Sequence, residues 1–152
     1  MADVIFQGGM KALVDGDLAS APDIRGKLVM GDFTGAAEED AINLDDITTI
    51  DEFDGVGYVE LDCANVAMAY DATDDEYQLT FDAGYFNADD DEGTVDAGSD
   101  DWIGILWYLY VDGTDANDVA VAFEDTGAGN GVGTAVLYTP HADGAIYLGA
   151  AA

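Results

Sequence analysis

The spacing of apolar residues changes once along the chain. From Val4 to Leu18, the positions Ile5, Met10, Leu13, Val14 and Leu18 follow a rhythm of roughly 3.6 residues. That predicts a short amphipathic helix, weakened by Gly8 and Gly9. Ser20 to Asp23 reads as a loop, and Ile24 to Phe33 as a strand with Ile24, Leu28 and Met30 on one face. The acidic stretch from Thr34 to Asp54 is interrupted by Ile42, Leu44, Ile47 and Ile50. It fits either one face of a short helix or a loop pinned by apolar residues.

Beyond residue 57 the pattern has the period of strands. Val59, Leu61 and Cys63 alternate, and the phase shifts between Ala64 and Met68, which predicts a bulge or bend. Residues 70–77 read as a hairpin turn, followed by a strand with Tyr77, Leu79 and Phe81 on one face. A long acidic loop, Asn87 to Asp101, leads into Trp102–Val111, which is apolar throughout. Such a run predicts a central strand covered on both faces. Val119–Phe123 is its expected partner, and two short strands close the chain. Strands at this spacing predict a mainly β fold, an antiparallel β-sandwich or barrel with a short N-terminal helix. No linker and no internal repeat is visible, so residues 1–152 read as one β-rich domain, with 1–20 as its N-terminal helix and arm.

Composition changes the picture at the surface. The 152 residues hold 33 Asp plus Glu against 3 Lys plus Arg, a formal charge of −30. Almost nothing is available to neutralise phosphates, which argues against nucleic acid and against an anionic membrane surface. No stretch reaches the roughly 18 apolar residues of a spanning helix. The first 18 residues have an acid at Asp3 and no basic start, unlike a secretory signal. Hydrophobic residues at 49% and aromatics at 11% predict a folded core, not disorder. The acids are mostly Asp, 26 against 7 Glu. An acidic skin of this kind suits folding in molar salt, where the Debye length falls to about 3 Å. A halophilic source is the expectation.

The candidate chemistry is sparse. Asp89, Asp90, Asp91 and Glu92, and separately Asp112, Asp115, Asn117 and Asp118, offer oxygen ligands for Ca²⁺ or Mg²⁺. Neither group has the calcium-loop spacing, and solvated loops are the expectation. Glu60, Asp62 and Asp82 are the acids embedded in apolar strands, where a glycosidase-type pair would have to be found. Alternation places Glu60 and Asp62 on the outward face, so no pair is expected. His141 sits in a turn after Pro140. Cys63, beside Asp62, reads as a small core residue whose thiol pKa is raised, not as a nucleophile. The glycine-rich segment Gly127–Gly133 lacks the Lys and the following helix of a phosphate loop and reads as a turn. Catalytic, cofactor-binding and metal-binding residues are therefore all expected to be absent, and no enzyme activity is expected. Lys11, Arg25 and Lys27 are the whole basic complement, and all lie in the first 27 residues. Arg25 and Lys27, two apart, share a strand face. Either they pair locally with carboxylates or this end meets an acidic neighbour.

The order of motifs resembles a family. A helix ending in LVDGDL, the basic-flanked strand IRGKLVM, a strand start at DGVGYVELDCANV, and WIGILWYLYVDGTDANDVAVAFEDTG, running through a DGT turn, follow one another. This layout resembles a family of small β-rich virion structural proteins of tailed phages. The acid content and the loop DDDEGTVDAGSDD depart from that pattern. The resemblance implies a capsid decoration or minor capsid protein on the head of a haloarchaeal tailed virus. It also implies the major capsid protein or other virion proteins as partners, homo-oligomerisation, and a capsid-surface location. A tail or head–tail junction protein and a non-catalytic haloarchaeal binding module are the alternatives.

Overall fold

A computed structural model describes residues 4–31, 38–48, 50–73, 76–87, 94–131, 133–140 and 146–148. Among them 43% are strand and 10% helix, and every strand pairing is antiparallel. The elements are β1 (Val4–Ile5), α1 (Gln7–Asp15), β2 (Ile24–Met30), β3 (Leu61–Asp62), β4 (Ala67–Asp71) and β5 (Glu76–Thr80). They continue with β6 (Gly84–Tyr85), β7 (Trp102–Leu109), β8 (Val119–Gly129), β9 (Leu137–Tyr138) and β10 (Ile146–Leu148). A five-stranded sheet has the order β1-β8-β7-β2-β3, a three-stranded sheet β10-β5-β4, and β6 pairs with β9.

The apolar run Trp102–Val111 forms β7, the middle strand of the larger sheet, and both its faces are covered. Ile105, Trp107 and Leu109 enter one core with Ile24, Leu28 and Val121 of neighbouring strands and Leu79, Ile146 and Leu148 of the facing sheet. Leu106 and Tyr108 enter a second core with Phe6, Val29, Ala41, Leu44 and Ile47. The strand ends at Leu109, and Val111 lies exposed in the following turn. The acidic segment after residue 38 is thus a loop pinned by apolar residues, with one helical turn at Leu44–Asp46 capped by Asn43 and Asp46. The phase shift after Cys63 is a bend between β3 and β4, where Asn65 takes a positive φ of 56°.

The N-terminal prediction needs two corrections. Val4–Ile5 is a strand paired with Phe123 and Ala122, so the helix starts only at Gln7. The strand intended for residues 24–33 ends at Met30, with Phe33 outside the described residues. Gly8 and Gly9, weak helix formers, are what lets α1 lie against β8. A Cβ on Gly8 would stand 2.2 Å from the Ile42 carbonyl oxygen and 2.5 Å from that of Ala120; on Gly9, 2.6 Å from that of Val121. The helix is therefore supported by its own sheet, and Ala12 joins the first core. Gly8→Val should force helix and strand apart. Overpacking costs about 1–3 kcal/mol, which at this size lowers Tm by several degrees, at about 2–4 °C per kcal/mol. A thermal melt of Gly8→Val equal to wild type would contradict the close approach.

Candidate functional site: a lysine-bridged carboxylate pair beside an acidic cleft

β2 sends Arg25 and Lys27 to the face opposite Ile24 and Leu28, as two-residue spacing requires. Neither stands free. Lys27 Nζ lies 2.7 Å from Glu60 Oε1 and 3.4 Å from Glu52 Oε2, and its side chain is only 14% exposed. Tyr58 Oη donates to Glu52 Oε1 at 3.0 Å and accepts from the Leu28 amide at 3.1 Å. Tyr108 Oη donates to Glu60 Oε2 in a short hydrogen bond. Arg25 pairs with Asp23 at 3.1 Å and stacks over Tyr110, its guanidinium carbon 3.5 Å from the ring centroid. Lys11 pairs with Asp15 one turn along α1 at 2.5 Å. All three cations are thus engaged by carboxylates of their own chain, as local pairing predicts.

Burial pulls the Lys27 ammonium pKa down, but the hydrogen bond it donates to Glu60 and the charges of Glu52 and Glu60 outweigh it, and the net shift is upward. The lysine stays charged and holds two carboxylates together. Burial, then the adjoining carboxylates, push the phenols of Tyr58 and Tyr108 well above their ordinary 10.0. Tyr138, which donates to Glu124 Oε2 at 2.9 Å, is shifted the same way. These phenols therefore remain neutral donors when folded, whereas in the unfolded chain they ionise near pH 10. Stability from them is fully present below pH 10 and declines as pH rises above it. In urea titrations at constant molar salt, unfolding free energy should fall between pH 10 and 11, and a flat profile there would contradict the buried hydrogen bonds.

Glu60 also borders a cleft of about 330 Å³ between Val59–Asp62 and Asp82–Tyr85. The three acids singled out in apolar strands, Glu60, Asp62 and Asp82, thus meet at one place. Alternation does point Glu60 and Asp62 away from Leu61, but Glu60 is half-buried, because Tyr108 and Lys27 close over it. Glu60 and Asp82 each have a partner of their own chain. Asp82 accepts from Asn65 Nδ2 at 2.6 Å, and Asp62 lies opposite Arg25 in the β2–β3 register. The cluster arranges charge so that β2, β3 and the segment around Glu52 stay together. The sequence signal for it was the rarity of Lys, which makes each lysine's partner structural.

The turn after β7 is organised by its own acids. Asp118, 3% exposed, accepts from the backbone amides of Val111, Asp112 and Gly113 through Oδ1 at 2.8, 3.2 and 3.3 Å. Asp112 accepts from Thr114 and Asn117, which hold its carboxyl below the usual range. These oxygens therefore close a turn. Among the described residues, no three His, Cys, Asp or Glu side chains gather as a metal would require. Asp89, Asp90, Asp91, Glu92 and His141 lie outside the described residues. Cys63 is a core residue, its thiol pKa pushed up first by burial and then by Asp62. Of the glycine-rich stretch expected to be a turn, Gly127–Gly129 instead extends β8, with Gly129 opposite Trp102.

Lys27→Met should expose the consequence of the pairing. Removing one partner from a buried pair costs about 3–5 kcal/mol. Glu52 and Glu60 are about a third exposed, so about 1–3 kcal/mol is expected here after allowing for solvent screening. Adding Glu60→Gln should recover part of the loss, and a double variant no more stable than Lys27→Met would refute the bridge.

Comparison with protein-family models, curated proteins and solved structures finds no match.

Proposed function

We propose that this chain is a virion structural protein, a capsid decoration or minor capsid protein that reinforces the head of a halophilic tailed virus. The observation that carries the reading is the order of folded elements. A short helix, the basic-flanked β2, the long central β7, a DGT turn and its partner β8 carry, in chain order, the sequence motifs whose layout resembles that of the phage virion family. In this reading the chain works by packing. The two cores give a rigid module, the acidic skin keeps it hydrated in salt, and contacts to the shell and to further copies hold it in place. The cations contribute little to such contacts, being engaged within the chain.

Particles purified in molar salt and analysed by quantitative mass spectrometry provide the test. The chain should be present at a fixed ratio to the major shell protein and survive washing at that salt. Its absence from intact particles would overturn the reading. If it is found only on tails separated from heads, the tail or junction alternative replaces it.

A further inference from the structure

We propose that the outer face of α1 docks an arginine-bearing apolar segment of a different protein. The inference rests on the virion reading above and names the chemistry of the neighbour that the chain meets there.

The helix is two-sided. Gly8, Gly9 and Ala12 are buried against the sheet. Met10 and Val14, one turn apart, share the side that faces away from it. Met10 is 38% exposed, and Val14, at 81%, is the most exposed large apolar side chain among the described residues. Neither belongs to either core. Ile42, also exposed, follows Ala41, whose carbonyl accepts from the Gly8 amide at 2.9 Å, so it borders the start of the same helix.

Charge on α1 runs against the helix dipole. Acids in the first turn and cations in the last stabilise a helix. α1 has no acid in its first turn and no base in its last. It ends instead on Asp15, and Asp17 follows in the closing turn, where Gly16 takes a φ of 85° and the Asp17 amide donates to the Ala12 carbonyl at 2.9 Å. Both side chains are exposed. The Lys11–Asp15 pair sets the cation N-terminal to the acid, the weaker order at this spacing. A helix of nine residues with two glycines is marginal by itself, and this arrangement weakens it further. Local rules are broken in this way where a surface serves something other than its own fold.

Charge complementarity names the occupant. The carbonyl end of α1 and the carboxylates of Asp15 and Asp17 concentrate negative potential beside Val14, and Lys11 offsets only one of the two acids. In molar salt that potential reaches about 3 Å, so only a cation in direct contact uses it, and apolar contact supplies most of the binding. A guanidinium is more weakly hydrated than an ammonium, and its stem is aliphatic. The arginine stem packs on Val14 while its head pairs with Asp17, and an adjoining apolar residue covers Met10. A second copy of this chain cannot serve. Its one arginine, Arg25, is held by Asp23 and stacked over Tyr110, and both lysines are paired with carboxylates.

A peptide of alternating leucine and arginine, acetylated and amidated, titrated in molar KCl into the full ¹⁵N-labelled chain, tests this. Amide shifts should saturate and be confined to residues 10–17 and the adjoining 41–42. Val14→Ser removes apolar contact at an exposed position without adding charge, and should weaken binding about tenfold. Asp17→Asn should weaken it about threefold yet raise Tm, because an acid leaves the carbonyl end of the helix. Val111→Ser, exposed elsewhere, should bind like wild type, and a peptide with glutamate in place of arginine should not bind. Shifts scattered over the acidic surface, no saturable shift, or a Val14→Ser affinity equal to wild type overturns the proposal. The particle analysis above decides the virion reading separately: a chain absent from particles that still binds the peptide on α1 keeps this site and loses that reading.

Discussion

Transfer from molar salt to dilute buffer is expected to unfold this protein. A compact chain of this length has a radius of gyration of about 15 Å. At about 0.01 M salt the Debye length is about 30 Å, so every acid repels every other across the whole molecule; at about 1 M it is about 3 Å, and only adjacent acids interact. Three cations, each already paired, leave a net −30 with nothing to offset it. The unfolded chain spreads the same charge over a larger volume and is favoured as screening fades. Thermal melts across a KCl series should show Tm rising steeply toward molar salt, with MgCl₂ effective at lower concentration. A Tm independent of salt would remove the halophilic reading of the surface.

Trp107→Ala should be the most damaging single core substitution. The ring is fully buried, with centroids 5.0 Å from those of Phe81 and Tyr138. It occupies space that Gly26, its cross-strand partner, leaves open: a Cβ on Gly26 would stand 2.6 Å from the indole. Truncation removes contacts to Phe81, just after β5, and to Tyr138 of β9, and the backbone at Gly26 has no side chain with which to fill the void. Large aromatic truncations cost about 3–5 kcal/mol, so Tm should fall by about 6–20 °C. The indole also donates to Glu124 Oε2 at 3.2 Å, a bond shared with Tyr138. Trp107→Phe should therefore recover much of the loss. A loss below about 1 kcal/mol for Trp107→Ala in urea titrations would show that this ring does not hold the sheets together.

Period and burial were legible in the sequence because they are local. Alternation placed Ile24, Leu28 and Met30 on one face and Arg25 with Lys27 on the other, and the ten-residue apolar run marked the strand covered on both sides. Turn-forming residues marked the β4–β5 and β7–β8 connections. The −30 charge fixed an acidic surface whatever the fold, since three cations cannot cover 33 acids. What lies opposite a given face is not local, and only the tertiary structure decided it. Alternation could turn Glu60 outward, but not show that Lys27, Tyr58 and Tyr108 join it and Glu52 in one network, because those residues come from three separate stretches of chain. Propensity counted Gly8 and Gly9 against a helix, while packing required them, because β8 passes too close for a Cβ. Val4–Ile5 took the strand form because β8 offered an edge to pair with. And nothing in the spacing of Ala64–Tyr70 separates an inner strand from an outer one: among the described residues β4 is the last strand of its sheet, a property of strand order and not of sequence period.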